Sequence, residues 1–230
     1  MCLIFTAYEA HCDYRLVIVA NRDEFYSRPT APAEFWPDCP NILAGRDLEA
    51  RGTWMGLSTR GRFAALTNHR SYQQLAGKPP TRGRLVSQFL AGSSTTDQYV
   101  TAFEDSAYCY NGFSLLLDDG QSLWYCSNRG GARARSLSPG IYGLSNESLD
   151  TPWPKVKRGK EAIKNAINGA LDIAELFKIM RDKTCAESEE LPDTGIGESR
   201  ERQLSPMFIE TSDYGTRCTT VITITYGGRV

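Results

Sequence analysis

Histidine is scarce in this sequence, and several common binding motifs are missing from it. Only two histidines, His11 and His69, occur among the 230 residues. None of the seven cysteines forms a C-x-x-C pair, so the sequence argues against a zinc site built from Cys and His. No G-x-G-x-x-G segment follows the first predicted strand, and no Walker phosphate loop occurs. We therefore expect neither a bound metal nor a nucleotide held by one of these motifs.

Long apolar runs and an excess of charge of one sign are also missing. No stretch approaches the roughly 18 consecutive apolar residues that a membrane helix needs. Glu9, His11 and Asp13 interrupt the first apolar region, which argues against a signal peptide. Lys and Arg number 26 against 27 Asp and Glu, and the net charge of -1 gives no general attraction to nucleic acid. These features predict a cytoplasmic protein with no membrane span and no nucleic-acid partner.

The composition is that of an ordinary globular protein. Hydrophobic residues make up 41% of the chain and charged residues 23%, which is typical of a folded domain. A chain of this length can bury a substantial core, and we predict a single domain over residues 1–230. An odd number of scattered cysteines in a cytoplasmic chain predicts free thiols and not a disulfide framework.

Hairpins and helices follow one another in clusters along the chain. Strand patterns occur in "CLIFTAY", "YRLVIVANRDE", "GTWMGLS", "RFAALTN", "GFSLLLDDGQSLWYCSN", "GIYGLSN" and "TRCTTVITITY". Helical spacing occurs in "RLVSQFLAGS", "TTDQYVTAFEDSA", "PWPKVKRGKEAIKNAINGAL" and "DIAELFKIMRDK". The polar segment "ESEELPDTGIGESRERQLS" predicts a mobile surface loop. This order indicates an α+β fold with largely antiparallel sheets.

Cys2 holds the position with the clearest chemical potential. Methionine aminopeptidase removes Met1 when a small residue follows, which would leave Cys2 with a free α-amino group. Such an amine titrates near pH 8, so it can take the proton of the neighbouring thiol and generate the reactive thiolate. Amine and thiol on one residue then replace the base and nucleophile of a Ser–His pair. Position 2 alone is weak evidence, because most cysteines there are incidental.

Four polar residues follow the second predicted strand: Asn21, Arg22, Asp23 and Glu24. If the first two strands pair as a hairpin, the end of the second lies beside Cys2 at the start of the first. A carboxylate there can orient the α-amino group, and an arginine can lower the thiol pKa or bind an anionic substrate group. We predict substrate-binding roles for Asn21, Arg22 and Glu24. An exposed turn with a local ion pair is the competing interpretation.

Cys2 together with "NRDE" resembles the NRDE family, also called the transport and Golgi organisation protein 2 family. The blocks "GRD", "GTWMGLS", "GRFAALTN" and "YGLSN" resemble its further motifs in the same order, and the likeness extends to about residue 221. The family is similar in turn to N-terminal nucleophile hydrolases of the linear-amide type, such as penicillin V acylases and conjugated bile acid hydrolases. This resemblance implies a four-layer α-β-β-α sandwich with two antiparallel sheets.

The resemblance also implies roles for single residues. Cys2 would be the nucleophile, and Asp23 would orient its α-amino group. Asn68 and Asn146 would line an oxyanion hole, whose N–H donors stabilise the tetrahedral intermediate. Arg217 would lie near the nucleophile. Asparagine is also a common turn residue, which is the alternative explanation for both asparagines.

A hydrolase of non-peptide carbon–nitrogen bonds is the leading functional hypothesis. It would cleave a small linear amide through a Cys2 acyl-enzyme, without a metal or other cofactor. The alternative is a binding or carrier protein on the same fold for an apolar ligand, haem or lipid, since folds do not fix function. The family is linked in general terms to secretory organisation and to lipid or haem handling.

The carrier hypothesis assigns different roles to residues near the N-terminus. Cys2 would be a thiolate ligand of haem iron, and Phe25, Tyr26, Phe35 and Trp36 would line an apolar pocket. Ordinary packing explains such aromatics at least as well. A nucleic-acid function through the basic run "RGGARAR" at residues 129–135 is disfavoured, because a short basic run in a near-neutral chain is usually a solvated loop.

Overall fold

The computed structural model describes residues 2–70, 75, 77–130 and 134–230. This part of the chain divides into two compact units. Residues 2–26, 70 and 138–230 belong to the first unit, and residues 27–69, 75, 77–130 and 134–137 belong to the second. The single domain expected over residues 1–230 stays a prediction.

Strands and short helices alternate along the described residues. The strands are β1 (Cys2–Tyr8), β2 (Tyr14–Phe25), β3 (Thr30–Trp36), β4 (Cys39–Asp47), β5 (Met55–Ser58), β6 (Phe63–Asn68), β7 (Phe113–Asp118), β8 (Leu123–Ser127), β9 (Arg135–Ser136), β10 (Gly140–Leu144) and β11 (Tyr214–Thr225). The α-helices are α1 (Gly83–Ala91), α2 (Thr96–Glu104), α3 (Pro154–Ala166), α4 (Ile173–Ile179) and α5 (Glu198–Gln203).

The first unit contains an antiparallel four-stranded sheet in the order β10-β1-β2-β11. Side chains alternate between the two faces of a strand, so Leu3 and Phe5 of β1 lie on one face and Cys2 lies on the other. Leu3 and Phe5 pack with Val156 of α3 and Leu176 of α4 in one buried cluster. The helices therefore cover one face of this sheet, and Cys2 belongs to the opposite face.

Helix α3 approaches this sheet closely at Gly159. The ring of Phe5 occupies the space that a Cβ atom on Gly159 would need. Phe5 is fully buried, so its ring has little freedom to move away. A glycine is therefore required on this face of the helix, although glycine lowers helix propensity by about 1 kcal/mol relative to alanine.

Replacing Gly159 with alanine should lower the free energy of unfolding by about 1–3 kcal/mol, because overpacking a tight core outweighs the gain in helix propensity. Urea unfolding of the two proteins measures the difference. Adding Phe5→Leu to Gly159→Ala should restore part of the loss, since the smaller side chain makes room for the new methyl group. An unchanged unfolding midpoint in Gly159→Ala would contradict the packing described.

The second unit contains an antiparallel seven-stranded sheet in the order β3-β4-β5-β6-β7-β8-β9. Helix α1 buries Leu85, Val86, Phe89 and Leu90 against apolar side chains of this sheet. Helix α2 starts with a capping box, in which the Thr95 hydroxyl accepts a hydrogen bond from the Gln98 amide and the Gln98 side chain accepts one from the Thr95 amide. The sequence predicts a cap at residue 95 or 96, and this prediction is confirmed.

The predicted α+β fold with two antiparallel sheets is confirmed. The hairpins β1–β2, β5–β6 and β7–β8 all form where strand patterns predict them. For Pro29 and Pro32 the sequence indicates an extended or turning segment, and the structure shows the extended form, strand β3, which forms a hairpin with β4. Strand β3 is an edge strand, where a proline removes no ladder hydrogen bond. None of the helices in the described residues has the length and apolar character that a membrane crossing requires.

The prediction of a surface loop over residues 187–205 is correct only in part, and its mobility stays a prediction. This segment contains a short 3-10 helix at Ser188–Glu190 and helix α5. Glu201 of α5 is buried, and its carboxylate accepts hydrogen bonds from the amide and hydroxyl of Thr194 and from the Arg70 guanidinium. The polar residues of this segment therefore bond within the fold, and composition alone does not reveal these partners.

Candidate active site

Cys2, Arg22 and Cys218 form a row across three neighbouring strands of the first unit. Arg22 of β2 pairs with Cys2 of β1 on one side and with Cys218 of β11 on the other. Residues directly opposite each other in an antiparallel sheet point to the same face, so the side chain of Arg22 leaves the sheet between those of the two cysteines. Two strand spacings put the two Cα atoms about 10 Å apart, too far for a disulfide. Both cysteines are free.

The Cys2 thiol is protonated at neutral pH while Met1 precedes it. Cys2 is only 6% exposed. Burial raises the pKa of its thiol to about 11, whereas the charge of the N-terminal ammonium and, less strongly, that of Arg22 act in the opposite direction. The α-amino group belongs to Met1 at this stage and not to Cys2 itself. Removal of Met1 would change the ionisable groups at this position.

Asp23 lies on the N-terminal side of Cys2, since it follows Arg22 in β2 and Arg22 is paired with Cys2. Its side chain is 1% exposed, and the Thr216 hydroxyl donates a hydrogen bond of 2.7 Å to its Oδ1. Burial raises the pKa of Asp23, and the ammonium of Lys155 is the main influence that opposes this rise. Thr216 thus helps to fix the orientation of the carboxyl group, and the Lys155 ammonium opposes the effect of burial on it.

Asp23 is one member of a buried charge cluster that also contains Arg70, Lys155 and Glu201. Arg70 donates a 2.5 Å hydrogen bond to Glu201, and both side chains are at most 4% exposed. Lys155 is 1% exposed, and its Nζ donates a hydrogen bond of 2.8 Å to the carbonyl oxygen of Leu204. Two cations and two carboxylates therefore share one interior region, where opposite charges offset part of the cost of burial.

The sequence interpretation did not identify Arg70, Lys155 or Cys218. Lys155 stands four residues before Gly159 on α3 and so lies on the same apolar stripe of that helix. A lysine on such a stripe is a signal that could have been noticed. Arg70 and Cys218 stand in polar or β-branched surroundings that give no comparable signal.

Lys155 should make stability rise with pH above neutrality. Burial and the Arg70 charge lower the pKa of Lys155 to about 7, against about 10.4 for a lysine in an unfolded chain. Between these values the unfolded state binds more protons, so the free energy of unfolding rises by up to about 1.4 kcal/mol per pH unit. The Cys2 thiol opposes this rise only above its unfolded pKa near 9.

Urea unfolding of the wild type and of Lys155→Met at pH 7, 8 and 9 isolates this contribution. As the pH increases, the unfolding free energy of the wild type should rise relative to that of Lys155→Met. A difference that stays constant over these three pH values would show that Lys155 titrates normally in the folded protein.

Asn146 follows strand β10, which pairs with β1. Leu144 is the last residue of β10 and pairs with Ile4, so Asn146 lies two residues beyond the end of this pairing, at the end of β1 that carries Cys2. Asn146 is 1% exposed, and its backbone carbonyl accepts a hydrogen bond of 2.7 Å from the amide of Arg70. The Ser145 hydroxyl donates a 3.5 Å hydrogen bond to the side-chain oxygen of Asn146. This contact favours an orientation in which the side-chain nitrogen of Asn146 points away from Ser145.

The other predicted site residues have different surroundings. Asn68 is the last residue of β6 in the second unit, where it pairs with Phe113. Arg217 occupies an irregularity in the pairing of β11 with β2, and its guanidinium donates hydrogen bonds to the carbonyl oxygens of Phe25 and Tyr26. The roles predicted for Asn68 and Arg217 stay predictions.

Two of the predicted substrate-binding residues have clear internal contacts. The amide nitrogen of Asn21 donates to the carbonyl oxygens of Met180 and Met207, and its oxygen accepts from Thr219. Asn21 lies on the helix-covered face of the sheet, as its pairing with Leu3 requires. Glu24 accepts a hydrogen bond from the amide of Phe25. Arg22 shares a sheet face with Cys2, and by alternation Glu24 lies on that face too.

One group of possible metal ligands occurs among the described residues. His11, Cys12 and Asp13 lie close enough to share an ion, but both ring nitrogens of His11 already have hydrogen-bonding partners, the Gly169 carbonyl and the Asp13 amide. The haem ligation suggested for Cys2 stays a prediction.

The aromatic residues of the carrier hypothesis and the basic run of the nucleic-acid hypothesis add no support to either alternative function. Trp36 packs in the core of the second unit and donates to the Ala44 carbonyl. Phe35 is exposed, and Phe25 packs edge-to-face against Tyr214. Within the basic run at residues 129–135, positions 131–133 lie outside the described residues.

Comparison with known proteins matches the chain to relatives along its whole length. The family model described as "Transport and Golgi organisation 2" matches residues 1–230. The chain is 37% identical over 253 residues to the Transport and Golgi organization 2 homolog of Mus musculus, covering 100% of this chain and 91% of that protein. The Homo sapiens homolog is also 37% identical, over 251 residues, with the same coverage of 100% and 91%.

A solved structure shares the fold at much lower sequence identity. The Caenorhabditis elegans ortholog of N-acylethanolamine-hydrolyzing acid amidase aligns with a TM-score of 0.52 and 11% identity, covering 91% of this chain and 100% of that one. At this identity the likeness concerns the fold alone, and at that level the predicted fold class is confirmed. With the family match over all 230 residues, the chain belongs to the Transport and Golgi organisation 2 family.

Proposed function

We propose that this protein is an N-terminal nucleophile amidohydrolase, which cleaves linear amides of small molecules through Cys2 after removal of Met1. The observation that carries the proposal is the pairing of β1 with β2, which sets Cys2 opposite Arg22 and next to the buried Asp23. Asn146 follows β10, the neighbour of β1 on the side away from β2, and would supply the oxyanion donor. Nucleophile and carboxylate thus belong to adjacent strands of one sheet, and the amide follows the end of a third.

Removal of Met1 would complete the catalytic group. The backbone nitrogen of Cys2 would become an α-amino group on the side where Asp23 lies. An ionised Asp23 accepts a hydrogen bond from this amine and orients it, while Arg22 favours the thiolate. The free amine near pH 8 then supplies the general base that the chain with Met1 lacks.

The reaction would proceed in two steps, acylation of Cys2 and hydrolysis of the acyl-enzyme. The α-amine takes the thiol proton, and the sulfur attacks the amide carbonyl to form a tetrahedral oxyanion, which the side-chain amide of Asn146 stabilises. The α-ammonium then gives its proton to the leaving nitrogen, the carbon–nitrogen bond breaks, and an S-acyl enzyme remains. Water attacks this thioester with the amine as base, which releases the acid and restores the thiol.

The substrate class can be tested with a panel of N-acyl amides of different acyl lengths, because the structural neighbour is named for hydrolysing N-acylethanolamines. We expect at least one amide to be hydrolysed, with acid quenching trapping the acyl group on the N-terminal Cys2 peptide. The matched control is the same chain with an N-terminal extension that cannot be removed. This control keeps the Cys2 thiol but lacks its free amine, and it should neither turn over nor acylate.

The binding or carrier hypothesis makes the opposite prediction. If the processed protein binds an acyl amide or another apolar ligand but leaves it intact, and no acyl group appears on Cys2, the hydrolase proposal fails. Equal turnover by the extended control would also contradict it, because the α-amine would then have no catalytic role.

A further inference from the structure

We propose that the second unit contains a binding site for a small phosphate monoester with an apolar body, in a depression between the β3–β4 hairpin and helix α1. The depression has a volume of about 530 Å³, within the range of roughly 300–1,000 Å³ that is typical of small-molecule sites. Its lining includes Arg46, Arg51 and Arg84 together with Asp38, Trp36 and Ile42. The inference does not rest on the proposed function, since it uses no residue of the first unit.

Apolar side chains form the base of this depression. Trp36 and Ile42 line it although only 4% and 1% of them is exposed, so they lie at its deep end. The indole N–H of Trp36 donates a 3.0 Å hydrogen bond to the carbonyl of Ala44, which fixes the ring. The Arg46 guanidinium lies over this ring at 4.2 Å from its centroid. The apolar part of a ligand would therefore meet a rigid surface.

Among the described residues that line the depression, Asp38 is the acidic one, and it is already engaged. Arg46 donates hydrogen bonds of 2.5 and 2.6 Å to the two oxygens of its carboxylate. This contact lowers the pKa of Asp38, and Arg51 acts in the same direction less strongly. The fork-to-fork pair uses both terminal nitrogens of Arg46, so Asp38 neutralises one of the three arginines.

Arg51 and Arg84 bring two further positive charges to the depression. Within the part of the chain that the structure describes, neither side chain donates a hydrogen bond or forms an ion pair. Asp47 and Glu49, the carboxylates closest to Arg51 along the chain, both pair with Arg28. Helix α1, which carries Arg84, contains no acidic residue. Three arginines and one aspartate give the lining a net charge of +2.

The positions of both arginines favour a bound anion. Arg51 has a φ of 63°, in the left-handed region that glycine adopts most easily. Its turn is held by the Asp47 carboxylate, which accepts hydrogen bonds from the amides of Glu49 and Ala50. Arg84 lies in the first turn of α1, where the positive end of the helix dipole disfavours a cation. An anion beside Arg84 would be attracted by the guanidinium and by this helix end together.

Two guanidinium groups from different elements suit a dianion better than a monoanion. A phosphate monoester carries a charge of about -1.5 to -2 at neutral pH, and its three free oxygens accept the paired N–H groups of arginine. A carboxylate has a single charge and two oxygens, so it would leave one of the two arginines poorly neutralised. The apolar base adds a second requirement, an apolar group attached to the phosphate.

The test is calorimetric titration of the full-length chain at pH 7.5 and constant ionic strength with four probes. The probes are 1-naphthyl phosphate, 1-naphthoate, 1-naphthol and inorganic phosphate. We expect 1-naphthyl phosphate to bind at least about tenfold more tightly than each of the others, because it alone combines the dianion with the apolar body.

Substitutions of the two unneutralised arginines locate the binding. Arg51→Gln and Arg84→Gln should each weaken the binding of 1-naphthyl phosphate by about tenfold, since each removes one charge-assisted contact. Both side chains are exposed, so the variants should keep the melting temperature of the wild type. The matched control is Arg135→Gln, which removes an exposed arginine from β9 at the other edge of the same sheet. This control should change the affinity by less than about twofold.

Several outcomes would overturn the inference. An equal loss of affinity in all three variants would show general attraction between opposite charges and no defined site. Equal affinity for 1-naphthoate would contradict the preference for a dianion, and equal affinity for inorganic phosphate would contradict the role of the apolar base. A lack of binding by 1-naphthyl phosphate would refute the site as a whole. None of these results bears on the hydrolase proposal, which is tested at Cys2.

Discussion

Replacing Cys2 with alanine is expected to lower amide hydrolysis by at least about 10⁴-fold, because no other group can form the acyl-enzyme. Cys2→Ala keeps a small residue at position 2, so removal of Met1 should proceed as before. The variant should still bind substrate, since only the sulfur is lost. Initial rates with excess enzyme, together with substrate binding by calorimetry, measure the two properties separately.

Cys218→Ala is the matched control for this substitution. Cys218 pairs with Arg22 from the opposite side and is also a free thiol, so it shares the same arginine without an adjacent chain terminus. Its replacement should change turnover by less than about tenfold, in line with a packing effect. A loss of activity as large as in Cys2→Ala would show that position 2 has no special role.

The second large effect is expected at Asn146. Asn146→Ala should lower kcat by about 10²–10³-fold with little change in KM, because its amide donor is used mainly when the oxyanion has formed. Steady-state kinetics on the best amide of the panel measure both constants. The melting temperature must be recorded in parallel, since Asn146 is buried.

Ser145→Ala gives the corresponding control. The Ser145 hydroxyl reaches the Asn146 side chain only through a long 3.5 Å hydrogen bond, so its loss should cost less than about tenfold in kcat. A proportional rise in KM in Asn146→Ala, with kcat unchanged, would assign this residue to substrate binding in place of the oxyanion hole.

The strands of the chain could be predicted where an apolar run between polar segments marks each one. The first hairpin follows from the two apolar runs on either side of "EAHCD", and with it the proximity of Cys2 and Asp23. The place of Asn146 could not be derived from its own surroundings in the sequence. Asn146 follows β10, and β10 reaches the first sheet only by pairing with β1, a strand more than a hundred residues earlier in the chain.

The buried charge cluster shows a different limit of the sequence. Glu201 stands in a segment so polar that it predicts an exposed loop, and Arg70 and Lys155 come from distant parts of the chain. Each charge is tolerated inside the protein because the others are there. Since a sequence pattern describes one residue with its neighbours along the chain, it does not reveal such mutual compensation.

The first residue of the processed chain provides the most direct test. The protein should be treated with limiting iodoacetamide at pH 7.5, and its intact mass and peptides should then be measured. We expect a chain without Met1, with Cys2 alkylated at least about tenfold faster than the exposed Cys12, Cys109 and Cys185. A chain that retains Met1, or a Cys2 thiol that reacts no faster than these three, would contradict the proposed mechanism.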